Sequence, residues 1–581
     1  MRYVGKFAWA ALVATVLLGP GLVRAAVAQA PAQQEQAKPA QKPTPVKPAE
    51  QAVPPQRATE ETAAPVKPAD SRMPAAPPDS TTDNAIIVGG QKIAYRAVAG
   101  TITVGSTDAV DAMLALDGRW LPGSEMAATE ASKPDEVSAT ARMFYAAYFK
   151  KDAAPETRPV MFFYNGGPGS STMWLHMGSF GPRRVVTPDT EHKEAAPYPI
   201  IENQYSLLDV ADLVFIDAPG TGFSRIMGKD KEKAFYGVDP DAHAFARFIR
   251  RFLTKHDRWN SPKYLFGESY GTPRSVVVAG MLLEDVDLNG IVLLSTILSF
   301  DNSVDGPHWN PGVDQAYAIA LPTYAATAFY HKKLPKQPPA LQPFLAEVET
   351  FALGDYMSAL LQGAQLPDNR RQAIAEKLHD YTGLPVDYLL KADLRVDGGM
   401  FSKTLQDAEG QTTGRLDTRY QGPHFDPLSK SAEYDPQSAA ISSAYTTAIN
   451  QYLRTDLKFG RDWTYKPNAY SDANFTWDLK HRPPGGPPFI EGSTNVMPDL
   501  AIVMKANPKM RVLVAGGYYD LATPYFEGMF EMRHLPIARN LQQNISYKYY
   551  EAGHMVYVNE GVLKQFHDDL VAFVRATAAG K

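Results

Sequence analysis

Ser269 stands in a Gly-x-Ser-x-Gly sequence, residues 267–271, whose spacing suits a serine nucleophile. The pattern by itself is a weak signal. Here, however, an apolar, strand-like run at residues 264–266 precedes it, and a helical stretch with an early proline follows it. A strand–turn–helix context pushes the serine hydroxyl out of the path of the chain, and the small flanking residues relieve the crowding. The sequence therefore predicts that Ser269 attacks a carbonyl group in acyl transfer.

A glycine-rich loop, Asn-Gly-Gly-Pro-Gly-Ser-Ser at residues 165–171, directly follows another strand-like run at residues 160–164. Backbone N–H groups in such a loop can point to the place where negative charge develops during acyl transfer. An ordinary tight turn is the alternative interpretation of the same glycines. A phosphate-binding loop is excluded, because the sequence has no Gly-x-x-x-x-Gly-Lys-Ser/Thr pattern.

Asp520 and His554 are the candidate partners of the serine. Asp520 lies just past the strand-like run 512–515, and His554 lies just past the β-rich run 545–550. The chain order Ser269, Asp520, His554 is that of α/β-hydrolases and differs from the orders of the other well-known serine triads. A single histidine after a strand is usually structural. The joint occurrence of the serine turn, the glycine loop, the aspartate and the histidine in this order predicts a catalytic triad.

The elements that must position these residues alternate along the chain. Apolar runs typical of strands buried on both faces occur at residues 160–164, 213–216, 264–266, 291–294 and 512–515, with helical stretches between several of them. β-Rich runs within residues 86–149 indicate an antiparallel start. This alternation predicts an α/β fold, with a mostly parallel central sheet flanked by helices. Residues 302–497 are mostly helical, and we interpret them as an inserted helical cap.

The composition excludes several classes of function. The 581 residues include 58 Lys and Arg against 63 Asp and Glu, whereas nucleic-acid-binding proteins usually have a basic face. The chain has no cysteine, which excludes disulfides, thiol nucleophiles and cysteine-ligated zinc. With 44% hydrophobic residues it has ample material for a large core.

The start of the chain predicts a targeting segment. Two positive residues, an apolar stretch and a small-x-small cleavage site indicate a secretory signal peptide over residues 1–30, so we expect a periplasmic or secreted protein. A retained anchor is the alternative, but the apolar run is shorter than the roughly 20 residues that span a bilayer. Residues 31–84 are rich in proline and are predicted to form a disordered linker. The mature chain, without a membrane span, would consist of core residues 85–301, the cap 302–497 and core residues 498–581.

Four motifs together resemble those of the serine carboxypeptidase family. Residues 165–171 resemble its Asn-Gly-Gly-Pro-Gly-Cys-Ser signature, and residues 217–224 resemble its Asp-x-Pro-x-Gly-Thr-Gly-Phe-Ser segment. Residues 267–270 resemble its Gly-Glu-Ser-Tyr turn, and residues 553–555 its Gly-His-Met. The resemblance implies an α/β-hydrolase fold with an inserted cap, and the removal of C-terminal residues from peptides.

The resemblance also implies roles for individual residues. Ser269 would be the nucleophile, His554 the general base and then acid, and Asp520 the residue that orients the histidine. The backbone N–H groups of Gly167 and Tyr270 would form the oxyanion hole.

The terminal carboxylate of the peptide would be bound by Asn165, Gly166 and Glu268. Glu268 can donate a hydrogen bond to a carboxylate only when it is protonated. Fourteen residues after Asn165 the family usually has a second glutamate paired with the first, and this chain has Ser179 instead. A carboxyl pair that shares one proton raises one pKa strongly, so its loss predicts weaker carboxylate recognition and a shallower preference for acidic pH.

The leading interpretation is an exported serine carboxypeptidase that acts on peptides with a free C-terminus and uses neither a metal ion nor an organic cofactor. No nucleic-acid partner is expected, and the oligomeric state is left open. A serine esterase or acyltransferase on the same scaffold is the first alternative. A non-catalytic α/β-hydrolase-like binding protein is the second. This second alternative predicts that a triad member is missing, and none is missing.

Overall fold

The computed structural model of the protein describes residues 76–124, 137–472, 475–485 and 493–578. The predicted signal peptide, residues 1–30, and most of the predicted linker lie outside these ranges. The predicted end of the linker at residue 84 is wrong, because a strand already begins at Ser80. Within the described ranges, helices with the length and hydrophobicity needed to cross a bilayer are absent.

Strands occur from the start of the described chain to near its end. In chain order they are β1 (Ser80–Val88), β2 (Gln91–Gly105), β3 (Thr140–Lys150), β4 (Val160–Tyr164), β5 (Arg183–Val185), β6 (Ile200–Glu202), β7 (Asp212–Ile216), β8 (Arg225–Met227), β9 (Lys263–Glu268), β10 (Gly290–Leu294), β11 (Gln411–Thr413), β12 (Gln421–Pro423), β13 (Arg511–Gly517) and β14 (Ile545–Tyr550). β5 pairs with β6 and β11 pairs with β12, while the other strands of the described chain form one large sheet.

The large sheet has the order β1-β2-β3-β7-β4-β9-β10-β13-β14, with the short β8 paired to β3. The pairings of β1, β2, β3 and β7 are antiparallel, and all pairings from β7 through β4 to β14 are parallel. Every residue of β4 and β7 is buried, which explains why these strands read as continuous apolar runs in the sequence. The predicted α/β class with a mostly parallel sheet is confirmed.

Helices fill the connections between the strands. In chain order they are α1 (Asp108–Ala112), α2 (Met173–Gly178), α3 (Lys231–Phe235), α4 (Val238–Lys255), α5 (Gly271–Leu282), α6 (Gln315–Tyr330), α7 (Leu341–Phe351), α8 (Met357–Gln362), α9 (Asp368–Thr382), α10 (Val386–Lys391), α11 (Gly398–Thr404), α12 (Pro436–Thr455), α13 (Met497–Ala506), α14 (Tyr525–Arg533), α15 (Arg539–Gln542) and α16 (Glu560–Ala578). A π-helical turn, Ala352–Tyr356, joins α7 to α8.

Two apolar layers cover the large sheet. Helices α4, α5 and α13 pack on one face, and α2, α12 and α16 pack on the other. In α4 the side chains of Phe245, Phe248 and Phe252 recur at helical spacing and are fully buried. The helices therefore bury both faces of the parallel strands.

The segment predicted to be one cap, residues 302–497, divides into two parts. Helices α6 to α11 form a hydrophobic cluster of their own, which side chains of α14 join. Helix α12 and the chain after it as far as residue 465 instead bury their apolar side chains in the core on one face of the large sheet. The inserted cap is therefore smaller than predicted. Helical periodicity indicates an apolar face but not the layer against which that face packs.

Arg274 of α5 lies behind the predicted nucleophile and is 1% exposed. Its Nε is 2.5 Å from Asp241 Oδ2 of α4, and its Nη1 donates a hydrogen bond to the backbone carbonyl of Asn165 at 2.6 Å. The guanidinium also lies over the rings of Phe245 and Tyr270. The ion pair thus ties two helices to the glycine-rich loop, and each charge needs the other because the surrounding interior is apolar.

The substitution Asp241→Ala is expected to lower the free energy of unfolding by about 3–5 kcal/mol, because it leaves the Arg274 charge buried without its partner. The control is Asp285→Ala, which breaks the more exposed pair with Arg250 and should cost less than about 1 kcal/mol. Urea denaturation followed by tryptophan fluorescence measures both effects. Equal losses of stability would contradict the role of the buried pair.

Candidate active site

The predicted site residues lie at one edge of the large sheet. Strands β9, β10, β13 and β14 are parallel neighbours, so their carboxyl ends lie side by side. Ser269 directly follows β9, Asp520 lies in the turn after β13, and His554 lies in the turn after β14. The glycine loop follows β4, which pairs with β9 on its other side. The topology therefore brings together segments that are far apart in the chain.

Ser269 occupies the sharp turn between β9 and α5. Its φ of 61° is a left-handed conformation that is uncommon for residues other than glycine. The Ser269 N–H donates to the Leu294 carbonyl at 2.9 Å, and the Ser269 carbonyl accepts the N–H of Thr272 at 2.8 Å. These two hydrogen bonds attach the turn to the end of β10 and to the start of α5, while Ser269 stays partly exposed.

Asp520 and His554 form a buried pair. His554 Nδ1 lies 2.8 Å from Asp520 Oδ2 and 3.2 Å from Thr523 Oγ1. Asp520 also accepts the backbone N–H groups of Ala522 and Thr523 and the Thr523 hydroxyl, over 2.8 to 3.0 Å. Burial alone would lower the pKa of His554, but the charge and the hydrogen bond of Asp520 outweigh it, so the pKa of His554 is raised.

The serine and the histidine are connected through the end of β10. The Ser269 N–H bonds to Leu294, and the hydroxyl of the next residue, Ser295, donates to the His554 carbonyl at 2.7 Å. Within the described chain, neither Ser269 Oγ nor His554 Nε2 makes a hydrogen bond to a protein group. The structure thus joins Asp520 to His554 directly. It places Ser269 on the same strand edge without a bond between its hydroxyl and the ring.

The glycine loop packs against the turn at Ser269. A Cβ atom at Gly166 would lie 2.3 Å from the backbone nitrogen of Tyr270, so the two segments can approach this closely only with glycine there. The N–H groups of Gly167 and Tyr270, the predicted oxyanion donors, have no hydrogen-bond acceptor among the described residues. Both donors are therefore free to bind an oxygen beside Ser269.

Glu268, the residue before the serine, is 3% exposed. The Tyr557 hydroxyl lies 2.9 Å from its Oε2 and 3.2 Å from its Oε1, and the Asn165 side chain lies near enough to its carboxyl group to lower its pKa. Burial raises the pKa of Glu268 to about 7, although His554 and these hydrogen bonds act in the opposite direction. The structure therefore brings Asn165 and Glu268, two of the predicted carboxylate-binding residues, into one cluster.

Ser179 takes no part in this cluster. It is fully buried, and its hydroxyl donates to the Leu175 carbonyl at 2.6 Å. The absence of a second glutamate predicted a shallower preference for acidic pH. That stays a prediction, and burial alone already raises the pKa of Glu268 without a carboxylate partner. Glu268 is therefore protonated in a large fraction of molecules up to near-neutral pH.

A loop of the insertion, residues 415–419, braces the turns that carry Asp520 and His554. The His554 N–H donates to the Leu416 carbonyl at 2.6 Å, and the Thr418 N–H donates to the Tyr519 carbonyl at 2.9 Å. Sequence analysis did not find this loop. Backbone hydrogen bonds between segments distant in the chain have no local sequence pattern.

Three side chains of the site were also missed by sequence analysis: Thr523, Tyr557 and Ser295. One of them had a local signal, because Thr523 stands three residues after Asp520, a spacing at which a tight turn brings residues together. Tyr557 contacts Glu268, which is distant in the chain, and had no such signal. Ser295 directly follows β10 at the edge where the site is built.

Residues 217–224, one of the segments that resemble the family, contact the chain directly after the glycine loop. Asp217 is buried, and it accepts the N–H of Thr172 at 2.9 Å and the hydroxyl of Tyr465 at 3.3 Å. Burial raises the pKa of Asp217 to about 6. Its contacts hold the start of α2, next to the loop.

The sheet order identifies the class of protein. In the sheet, β7 lies between β3 and β4, although β4 comes before β7 in the chain. The serine turn follows β9, which lies on the other side of β4. This is the arrangement of α/β-hydrolases. Among the described residues, no group of three or more His, Cys, Asp or Glu side chains is placed to hold a metal ion.

Comparison with known proteins shows that part of the chain is similar to one enzyme family. The serine carboxypeptidase family model matches residues 134–274, which include the glycine loop and the serine turn. A pheromone-processing carboxypeptidase of Phytophthora infestans is 32% identical over 143 residues, 22% of this chain and 21% of that protein. Serine carboxypeptidase-like 16 of Arabidopsis thaliana is 28% identical over 174 residues, 28% of this chain and 38% of that protein. This stretch of the chain is similar to the serine carboxypeptidase family, in agreement with the resemblance of its motifs.

The matches cover less than half of these relatives' own lengths. Among solved structures, a proline iminopeptidase of Mycobacterium smegmatis covers 75% of this chain and 96% of its own chain, with 14% identity and a TM-score of 0.33. At that TM-score the likeness adds nothing to the fold assignment, which rests on the strand order.

The substitution Asp520→Asn is expected to lower the pKa of His554 below its ordinary value, because it removes the charge that opposes the effect of burial. Nuclear magnetic resonance titration of the histidine ring signals measures this pKa, with His554→Gln to assign the signal. The control is Thr523→Val, which removes the second contact of Nδ1 but keeps the carboxylate and should cause a smaller shift. An unchanged titration in Asp520→Asn would show that the carboxylate does not set this pKa.

Proposed function

We propose that the protein is a serine carboxypeptidase, which removes the C-terminal residue of a peptide by way of an acyl-enzyme. One observation carries this proposal. Glu268, a buried carboxyl group with its pKa raised to about 7, stands directly before the predicted nucleophile. A protonated carboxyl group can donate a hydrogen bond to a carboxylate, which a peptide presents at its C-terminus. An ester without a carboxylate gains nothing from such a group.

In the proposed reaction, Ser269 Oγ attacks the carbonyl carbon of the last peptide bond and its proton passes to His554 Nε2. The C–N bond then breaks, and His554 returns this proton to the nitrogen of the departing residue. Water, activated by the same imidazole, releases the shortened peptide from the serine. The Asp520 contact at Nδ1 supports these steps, because it leaves Nε2 as the basic nitrogen and favours the protonated ring.

We assign the stabilisation of the negative charge that develops on the carbonyl oxygen to the backbone N–H groups of Gly167 and Tyr270. Two observations support this assignment. Among the described residues these N–H groups have no hydrogen-bond acceptor, and Gly166 packs closely against the serine turn. Preformed donors of this kind act without reorganisation, and each contributes about 10²–10³ in rate in well-studied hydrolases.

Carboxylate binding is assigned to Asn165, Gly166 and Glu268. The Asn165 side chain lies near the Glu268 carboxyl group and lowers its pKa, and the same loop contributes Gly166 beside the serine turn. A terminal carboxylate held at this point would place the last peptide bond, one residue away, near Ser269. This spacing supports removal of single residues from the C-terminus over internal cleavage.

We further propose that the protein is exported, to the periplasm or out of the cell. The support is the sequence of residues 1–30, which has the charge, the apolar stretch and the small-residue site of a secretory signal peptide.

The substitution Ser269→Ala is expected to lower peptide trimming by at least about 10³-fold, because it removes the nucleophile of the acyl-enzyme. Mass spectrometry of a mixed peptide library detects the products, and a fluorophosphonate label detects the reactive serine. The control Ser358→Ala changes an exposed serine of α8 and should leave both readouts as in wild type.

The same library separates the alternatives. Stepwise shortening from the C-terminus in wild type, lost in Ser269→Ala, supports the carboxypeptidase. Turnover of esters, or transfer of the acyl group to an alcohol, without peptide shortening would favour an esterase or acyltransferase. Failure of the label to attach at Ser269, together with no turnover, would favour a non-catalytic binding protein.

The activity is expected to depend on pH in a way set by Glu268. Its protonated fraction falls as the pH rises through about 7, so kcat/KM for a peptide with a free C-terminus should fall above that pH. The substitution Glu268→Gln keeps a hydrogen-bond donor that does not titrate, and should remove this basic limb. Kinetics on an N-blocked amino-acid ethyl ester, which lacks the carboxylate, should show no such limb in wild type. The control Glu284→Gln changes an exposed carboxyl group beyond α5 and should keep the wild-type profile.

A further inference from the structure

Tyr557 reaches Glu268 from the short 3₁₀ turn Val556–Val558, which follows His554. It is 2% exposed, and its hydroxyl contacts both carboxyl oxygens of Glu268, at 2.9 and 3.2 Å. None of the motifs assigns a role to this residue. It nevertheless makes direct contact with the carboxyl group that stands next to the predicted nucleophile.

Gly178, the last residue of α2, has no side chain and so leaves room for the ring of Tyr557. A Cβ atom at Gly178 would lie 2.7 Å from Tyr557 Cε2 and 2.6 Å from the Tyr445 hydroxyl, so a larger residue there would displace both rings. The next residue, Ser179, turns its hydroxyl away to the Leu175 carbonyl. A phenol therefore provides the contact with Glu268 in a chain that has no second glutamate at position 179.

The direction of the hydrogen bond follows from the two groups. Burial, reinforced by the charge of Glu268, raises the pKa of Tyr557 well above its ordinary value, so the phenol keeps its proton and acts as the donor. When Glu268 is protonated, the phenol donates to the oxygen without hydrogen. The proton of Glu268 then stands on the other oxygen, available to a second acceptor.

We propose that Tyr557 is a positioning residue, whose hydroxyl stands in for a second carboxyl group and holds Glu268 as a hydrogen-bond donor to the terminal carboxylate of the substrate. This inference rests on the proposed carboxypeptidase function. A phenol partner differs from a carboxyl partner because it does not titrate in the working range of pH, so Glu268 titrates without sharing a proton. Substrates without a terminal carboxylate do not use the contact.

The other groups that face Glu268 come from several segments. His554 and Asn165 of the glycine loop lower its pKa, and Asp520 raises it. Tyr445 of α12 lies within electrostatic reach of the same carboxyl group. The hydrogen bond of Tyr557 stabilises the charged form of Glu268, so its removal should raise the pKa of Glu268 further.

The test is the substitution Tyr557→Phe, which removes the hydroxyl and keeps the ring. Kinetics from about pH 4 to about pH 9 compare an N-blocked dipeptide with a free C-terminus, its C-terminal amide and an N-blocked amino-acid ethyl ester. We expect kcat/KM for the free dipeptide to fall about 10- to 100-fold, mainly through KM, with the basic limb displaced to higher pH. The ester should change by no more than about twofold, because it does not use the carboxylate subsite.

The control is Tyr445→Phe, which also removes a buried phenol near Glu268 but leaves the contacts of its carboxyl group intact. It should keep the wild-type ratio between free dipeptide and ester, and thermal unfolding checks that both variants fold. Equal losses on both substrates in Tyr557→Phe, or an unchanged ratio and basic limb, would overturn the inference. A wild type that does not prefer the free carboxylate over the amide overturns the proposed function, and this inference with it.

Discussion

The left-handed turn at Ser269 is the constraint on which the rest of the structure depends. A φ of 61° at a residue with a side chain costs on the order of 1–3 kcal/mol and persists only where the surroundings hold it. Here the end of β10 binds the serine N–H through Leu294, and α5 binds its carbonyl through Thr272. Gly166 lets the glycine loop approach the turn, and the buried Arg274 holds that loop from behind. The strained turn is thus held by β10, by α5 and by the glycine loop. It presents the serine hydroxyl at the edge of the sheet.

Two buried carboxyl groups lie near this turn, and their hydrogen-bond surroundings differ. Asp520 accepts hydrogen bonds from two backbone N–H groups, a hydroxyl and the imidazole of His554, so it serves as an acceptor that orients the ring. Glu268 accepts a hydrogen bond from the phenol of Tyr557, and burial raises its pKa to about 7. A protonated Glu268 can act as a hydrogen-bond donor, which Asp520, as an acceptor of several bonds, does not.

The insertion contributes to the site in two ways that its helical sequence does not reveal. Its α12 belongs to the core beneath the sheet, where Tyr445 packs beside Tyr557. Its loop 415–419 holds the backbone of the turns after β13 and β14. The inserted segment is therefore part of the frame of the site, in addition to forming a separate helical cluster beside it. The apolar faces of its helices were visible in the sequence, but their partners were not.

The sequence by itself determined the class of fold, the resemblance to one family and the segments that meet at the strand edge. β4 and β14 coincide with the predicted runs, because buried strands and the glycines of tight turns leave patterns within a few residues. Only the tertiary structure decided that Tyr557 contacts Glu268, that residues 415–419 brace the turns of Asp520 and His554, and that α12 joins the core. Those contacts join segments distant in the chain. They depend on how whole layers pack, and no local pattern of residue types encodes that.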